Sequence, residues 1–308
     1  HVVAADTTNH YRVFSILTNT YYSDGLIVDG LASSRYPSNV YAETFSYTNV
    51  ALSAGSFSNK NGGYLWSGAW SLSTAGSGFG WTIQTNVVAG TPAWNVIQTN
   101  YPTVVGNRAV LEANGVGHNA AYRAIAATNS GTIFVAAIVA YQYDGATEGA
   151  NKYMTIGLMN DTDTELEFGK VYGRQNFFDI RRNDANGNVS TRQIHGWGES
   201  GRSTNDWYWI VVKYDFSAGG GTAYANCYYQ GQNIPYEEPT TWDVEWSGMG
   251  ISEIDGIELK GGSFGSGWLG GAIWDEIRIS SVWPSLIGQP NLQPWPSPVD
   301  FGEVESTL

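Results

Sequence analysis

Short apolar runs separated by Gly, Ser, Asn and Asp make up most of the chain, and this pattern predicts β-strands joined by tight turns. Residues 131–141 are apolar on both faces and rich in β-branched side chains, which is typical of a central strand. Residues 206–215 and 222–230 form a hairpin pattern across three consecutive glycines. The Asn186-Gly187 pair predicts a further hairpin turn, because both residue types accept positive φ.

Residues 270–280 follow a two-residue period after a Gly pair, as expected of a strand with one buried face. The alternation puts Ile273, Ile277 and Ile279 on one face, with Asp275 in the same row. Trp274 and its alternate neighbours then face the other way. A carboxylate in a buried row must be paired, hydrogen-bonded or bound to a metal, so Asp275 is singled out.

No long amphipathic helix is predicted, and residues 282–287 are expected to form at most one helical turn. More than ten strands at short spacing predict an all-β fold, an antiparallel two-sheet jelly-roll sandwich. An N-terminal strand pair and a C-terminal extended strand are expected to flank it.

Four segments are predicted along the chain. Residues 1–39 form an N-terminal strand pair, 40–288 the jelly roll, 289–298 a proline-rich linker and 299–308 a C-terminal strand. The first segment resembles the tail of a fibronectin type III or Ig-like module, and the last resembles the first strand of an Ig-like repeat. The first two strands could equally belong to the main sandwich.

Composition excludes several function classes. The 308 residues carry a net charge of −13, whereas binding to nucleic acid or to an anionic membrane surface requires a basic surface. Cys227 is the only cysteine, so no intrachain disulfide is possible. Together with the single cysteine, the polar, Asn- and Thr-rich and Lys-poor composition favours a secreted or cell-surface bacterial protein. No apolar run reaches transmembrane length. His1 cannot be a translation start, so we expect a processed product or a piece of a longer chain.

Three stretches together resemble the concanavalin A-like lectin/glucanase superfamily, and in particular its laminin-G-like modules from large extracellular bacterial proteins. These stretches are Glu43-Thr44-Phe45 with Trp66-Ser67-Gly68, the strand beginning at Trp207, and Trp274-Asp275-Glu276-Ile277-Arg278-Ile279. The resemblance covers about residues 40–288. It implies a two-sheet jelly roll whose concave face binds glycans in some members, while other members are structural.

The resemblance also implies a structural calcium ion that joins the opening strand to the last one. Its ligands here would be Glu43, Asp275 and carbonyls near residues 61–63, since Ca²⁺ takes six to eight oxygen ligands. The alternative is that Asp275 accepts backbone N–H bonds or pairs with an arginine.

Glu253, Asp255 and Glu258 have the Glu-x-Asp-x-x-Glu spacing, which resembles the catalytic motif of laminarinase-type glycoside hydrolases. The resemblance would make Glu253 the nucleophile, Asp255 its helper and Glu258 the acid/base. On a regular strand Glu258 faces away from the other two, although a bulge at Gly256 could bring it round. A solvated acidic strand is the preferred interpretation, so the chain is predicted not to be an enzyme.

Tryptophans in turn-rich surroundings are candidates for contacts to a glycan or a protein partner. The alternative is that they are buried core residues. The candidates are Trp66, Trp70, Trp197, Trp242, Trp246 and Trp268.

Three functions stay open. The leading prediction is a structural module of an extracellular bacterial fibre or sheath, in which the C-terminal strand of one copy completes the N-terminal strand pair of the next, head to tail. The alternative is a glycan-binding or adhesion module with a polysaccharide partner. A laminarinase-type hydrolase is the third.

Overall fold

A computed structural model shows an all-β protein and describes most of the region from residue 107 to residue 287. The described residues are 8–13, 16–18, 21–22, 26–31, 40–43, 45, 65–66, 68–74, 79–85, 107–113, 117–141, 152–161, 163–171, 177–183, 189–196, 207–218, 220–229, 232, 234–235, 237–263 and 270–287. The predicted linker and C-terminal strand, residues 289–308, lie outside this set, and the proposed domain boundaries stay predictions.

Nineteen strands and one short helix are assigned among the described residues. The first seven strands are β1 (Thr8–Val13), β2 (Ile16–Thr18), β3 (Tyr21–Tyr22), β4 (Leu26–Leu31), β5 (Val40–Glu43), β6 (Ser71–Thr74) and β7 (Phe79–Thr85). The next six are β8 (Asn107–Ala113), β9 (Gly117–Thr128), β10 (Thr132–Tyr141), β11 (Lys152–Asn160), β12 (Asp163–Lys170) and β13 (Phe177–Asn183). The remaining elements are β14 (Val189–Gly196), β15 (Trp207–Asp215), β16 (Thr222–Tyr229), β17 (Val244–Ser247), β18 (Ile254–Ser263), β19 (Gly270–Ser280) and the helix α1 (Trp283–Leu286).

Two antiparallel sheets form the sandwich, which confirms the predicted fold class. The eight-stranded sheet has the order β17-β16-β15-β10-β19-β8-β7, and β5 also pairs with β19. The seven-stranded sheet has the order β14-β13-β12-β11-β18-β9-β6. β1 with β4 and β2 with β3 form two further two-stranded sheets.

The main core lies between the two large sheets and collects alternate residues from each strand. In β15, for example, Tyr208, Ile210 and Val212 belong to this core. Trp209 and Val211 belong to a second cluster on the outer face of the eight-stranded sheet, which α1 covers. Because both faces of the central strands are buried, β10 and β15 are apolar along nearly their whole length.

A β-bulge in β19 interrupts the alternation that is predicted for the closing strand. Glu276 has a φ of 46°, and the pairing of β19 with β10 shifts register between Ala136 and Ile138. Ile273 therefore lies in the outer cluster, whereas Ile277 and Ile279 lie in the main core. The prediction of a single row of isoleucines was wrong, because the extra residue reverses the faces of the strand.

Candidate functional site

A buried ion pair joins the two sheets of the sandwich. Glu43 is on β5 of the eight-stranded sheet, and Arg123 is on β9 of the seven-stranded sheet. A guanidinium nitrogen of Arg123 donates to Glu43 Oε2, and neither side chain is exposed. The other carboxylate oxygen, Oε1, accepts the backbone N–H of Phe45 at 2.6 Å. Burying two charges is tolerated because they face each other and are hydrogen-bonded.

Two tryptophans enclose this ion pair. Trp70 Nε1 donates to Glu43 Oε2 at 3.1 Å, and Trp66 Nε1 donates to the carbonyl of Ala42 at 3.0 Å. The guanidinium carbon of Arg123 lies 4.6 Å from the ring centroid of Trp66 and 5.5 Å from that of Trp70, within cation–π range. The structure therefore places both indoles inside the sandwich, Trp66 at 9% exposure and Trp70 at 0%, and not on a surface open to a glycan.

The surroundings of Glu43 do not suit a calcium ion. Both of its oxygens accept hydrogen bonds, and a cation there would have to displace the Arg123 guanidinium. Asp275 Oδ1 accepts the backbone N–H of Glu276 at 2.8 Å, the hydrogen-bonded alternative to metal binding for this carboxylate. Within the described part of the chain, no group of three or more His, Cys, Asp and Glu side chains could hold a metal. Calcium binding stays a prediction that the donor set does not favour.

An open pocket of about 490 Å³ lies on the opposite, outer face of the seven-stranded sheet. Tyr122 and Ala124 face it, because they alternate with Arg123, whose side chain is directed into the sandwich. Exposed Ser71, on the neighbouring edge strand β6, pairs with Tyr122. The pocket is lined by Gly68, Ala69, Ser71, Tyr122, Arg123, Ala124, Met159, Asp161, Asp255 and Gly256.

Arg123 connects the ion pair to the wall of this pocket. Its Nε donates to the carbonyl of Gly68 at 3.0 Å, and Gly68 and Ala69 form part of the lining. With the indoles of Trp66 and Trp70 bonded to β5, the segment that carries this wall is held at several points along its length. A pocket wall fixed in this way needs little reordering when a ligand binds.

The floor and far wall of the pocket come from β18 and the β11–β12 hairpin. A Cβ atom on Gly256 would lie 3.4 Å from the carbonyl oxygen of Arg123 and 3.5 Å from Cβ of Met159. A larger side chain at this position would therefore extend into the pocket. Both carboxylate oxygens of Asp255 accept the N–H of Asp161, at 3.0 and 3.1 Å. Asp161 has a φ of 58°, in the left-handed region that Asp tolerates in turns.

Glu258 supports the pocket from the side and is itself buried. It accepts hydrogen bonds from the hydroxyls of Tyr122 and Thr164, the latter at 2.8 Å. Lys260 lies 3.9 Å from Glu258 Oε1 and 3.4 Å from Glu167 Oε1. Burial raises the pKa of the Glu258 carboxyl, and the positive charge of Lys260 opposes that rise.

The three carboxylates of the predicted catalytic motif differ in their surroundings. Glu253 precedes β18, Asp255 lines the pocket, and Glu258 lies under Tyr122. The pairing of β18 with β9 shifts register between Ile254 and Gly256, close to where a bulge was expected. Asp255 and Glu258 both bond to the β11–β12 hairpin, through Asp161 N–H and Thr164 Oγ1. Catalysis by this set stays a prediction.

The other predicted tryptophans lie away from the pocket or outside the described residues. Trp242 is half-buried and packs on the outer cluster, 5.9 Å from Trp283 between ring centroids. Trp246 is half-buried against the main core, with the exposed Arg192 guanidinium 5.2 Å from its ring centroid. Trp197 and Trp268 lie outside the described residues.

Comparisons with known proteins give distant structural likenesses. No family model and no curated protein matches the chain. The binding domain of botulinum neurotoxin serotype G superposes with a TM-score of 0.42 at 12% identity, over 71% of this chain and 49% of that one. The binding domain of Paraclostridial Mosquitocidal Protein 1 gives 0.45 at 9% identity, over 82% and 51%.

A third likeness is to the CBM2 module of the evolved Dit protein of Lactobacillus casei BL23 phage J-1. It has a TM-score of 0.36 at 12% identity, and covers 68% of this chain and 91% of that one. This chain spans about half the length of the toxin binding domains it matches. At these scores the functions of the matched proteins do not transfer, and the concanavalin A-like resemblance stays a prediction.

Helix α1, four residues long, is far too short to cross a bilayer, and the described part of the chain holds no helix that is long and apolar enough to do so.

Proposed function

We propose that this chain is a glycan-binding module and that the pocket on the outer face of the seven-stranded sheet receives the sugar. The observation that carries the proposal is the pocket itself. Its volume of about 490 Å³ is in the range of small-molecule sites, and its small floor is surrounded by groups that bond to hydroxyls. The Asp255 carboxylate accepts hydrogen bonds, the Ser71 hydroxyl donates and accepts them, and the Tyr122 ring offers an apolar face.

Binding is preferred over hydrolysis because the acidic groups near the pocket already have structural partners. Glu258 is buried beneath Tyr122, and both oxygens of Asp255 hold the turn at Asp161. A retaining hydrolase needs two carboxyl groups that reach the scissile bond from opposite sides. We therefore propose that the module is non-catalytic. We also propose that it belongs to a secreted or surface-exposed bacterial protein, as its composition favours.

Filling the floor of the pocket tests the proposal. Gly256→Leu is expected to lower affinity for the best-bound glycan at least tenfold, because the new side chain occupies the space of the sugar. Gly256→Ala, whose Cβ makes ordinary van der Waals contacts, is expected to cost less. A glycan array followed by calorimetric titration measures the affinities, and circular dichroism checks the fold. Equal affinity in Gly256→Leu and the unaltered protein would remove this pocket from consideration.

A second candidate function is self-assembly, and the specific observation in its favour is the β1–β4 pair. These two strands form a sheet of their own, with six residue pairs from Thr8–Leu31 to Val13–Leu26. A two-stranded sheet is marginally stable by itself, and among the described residues no third strand pairs with the outer edge of β1 or β4. We propose that a second copy supplies residues 299–308 to this edge, head to tail.

Deleting residues 290–308 tests that assembly. The shortened protein is expected to stay folded and monomeric, whereas the full chain forms filaments or oligomers that electron microscopy and light scattering detect. Assembly of the shortened protein to the same extent would refute the donor strand without affecting the glycan proposal.

A further inference from the structure

We infer that the pocket selects neutral and amino-bearing sugars and excludes glycans that carry uronic, sialic or sulfate groups. This inference rests on the proposed glycan-binding function and adds the chemical class of the ligand. It depends on which charges face the pocket and which are directed elsewhere.

Two carboxylates line the pocket. Asp255 is half-buried and fixed, because both of its oxygens accept the N–H of Asp161. Asp161 itself is exposed at the tip of the β11–β12 hairpin. A carboxylate that already accepts one N–H has further lone pairs for sugar hydroxyls, and it binds an ammonium group more strongly than a hydroxyl.

The arginine of the lining contributes its backbone to the pocket, not its charge. The Arg123 guanidinium is directed into the sandwich, where it pairs with Glu43 and lies against the rings of Trp66 and Trp70. Its side chain has no exposed surface. The carbonyl oxygen of Arg123 is the atom that approaches the pocket floor at Gly256.

Lys260, on the same strand as Asp255, does not supply the pocket with a positive charge in place of Arg123. It lies five residues further along β18, which is about 16 Å on an extended strand. Its Nζ is 3.4 Å from Glu167 and 3.9 Å from Glu258, so two carboxylates surround it. Among the described lining residues, no cation faces the pocket to receive an acidic sugar. The net charge of −13 repels anions further.

The test is a glycan array that holds matched neutral, amino, uronic, sialylated and sulfated forms of each linkage. Titration then compares the best-bound neutral oligosaccharide with its uronic counterpart. We expect the neutral form to bind at least tenfold more tightly and the amino form at least as tightly as the neutral one. Raising NaCl from about 0.02 to 0.5 M should shrink the difference, because salt screens charges at the surface.

Asp255→Asn and Asp161→Asn identify the source of the selectivity. Asn keeps an oxygen to accept the N–H at the turn, and it tolerates the left-handed backbone of Asp161. Each change is expected to reduce the neutral-to-uronic preference about threefold or more. Glu245→Gln is the matched control, because it removes the same charge from an exposed position on β17 of the other sheet and should leave the preference unchanged.

The outcomes distinguish failure of the proposed glycan binding from failure of the inferred selectivity against acidic glycans. An array on which no glycan binds refutes the proposed function. Uronic or sulfated glycans that bind as tightly as their neutral forms overturn the inference while the proposed function stands. An equal change of preference in Glu245→Gln and Asp255→Asn also overturns it, because the net charge of the chain, and not the pocket, would then set the selectivity.

Discussion

Replacing Arg123 with Met is expected to lower the free energy of unfolding by about 3–5 kcal/mol, the usual cost of leaving one partner of a buried ion pair uncompensated. Glu43 would keep its bonds from Phe45 and Trp70 but lose the positive charge that permits its burial. The carbonyl of Gly68 would lose its donor as well. Urea denaturation followed by circular dichroism measures the loss.

The double replacement Arg123→Met with Glu43→Gln separates the pair from the packing. It removes both charges, so it should recover a large part of the stability, and the double-mutant cycle gives the coupling energy. Arg192→Met is the surface control, because Arg192 is exposed on the ring of Trp246 and should cost at most about 1 kcal/mol. A single Arg123→Met substitution that costs no more than Arg192→Met would show that the pair does not hold the sheets together.

Arg123→Met is also expected to affect ligand binding at the pocket. Since Arg123 donates to the carbonyl of Gly68 in the pocket wall, its loss should weaken the proposed glycan binding in the protein that remains folded.

The sequence contains enough information to predict the fold class and the central strands. The apolar run of residues 131–141 and the hairpin pattern of residues 206–215 predict two strands, and the structure places β10 and β15 there. Such strands are recognisable because burial on both faces leaves little choice of residue. The single helical turn near residue 283 was also predicted, and α1 occupies it.

The site was only partly predictable. Glu43 was singled out, but its partner Arg123 is 80 residues away and was not identified. Arg123 occupies a core-facing position of β9, where a charged residue breaks the apolar alternation between Ala121 and Ile125. That break was the available signal for a buried partner. Tyr122 and Asp161 line the pocket only because of how neighbouring strands pair, so the local sequence pattern does not predict their positions there.

The bulge in β19 could not be foreseen from period-two alternation. Counting by twos from Ile273 gives a continuous row through Ile279, and only tertiary pairing shows that Glu276 is the extra residue. The bulge turns Arg278 toward α1, where its two terminal nitrogens donate to Glu276 Oε2 at 2.7 Å and to the carbonyl of Leu286 at 2.8 Å. Arg278 and Glu276 are both fully buried.

Arg278→Met is accordingly expected to cost about as much stability as Arg123→Met, about 3–5 kcal/mol, since Glu276 would remain charged at a fully buried position without its partner. It should also loosen α1, whose Trp283 packs on Trp209 and should change its fluorescence. Lys213→Met is the control on the same face, because the Lys213–Glu238 pair is partly exposed and worth at most about 1 kcal/mol. Arg278 lies on the sheet opposite the pocket, so the folded variant should keep the glycan affinity proposed for the pocket. Loss of that affinity without unfolding would show that the two sheets are coupled, and that the pocket depends on more than the Glu43–Arg123 pair.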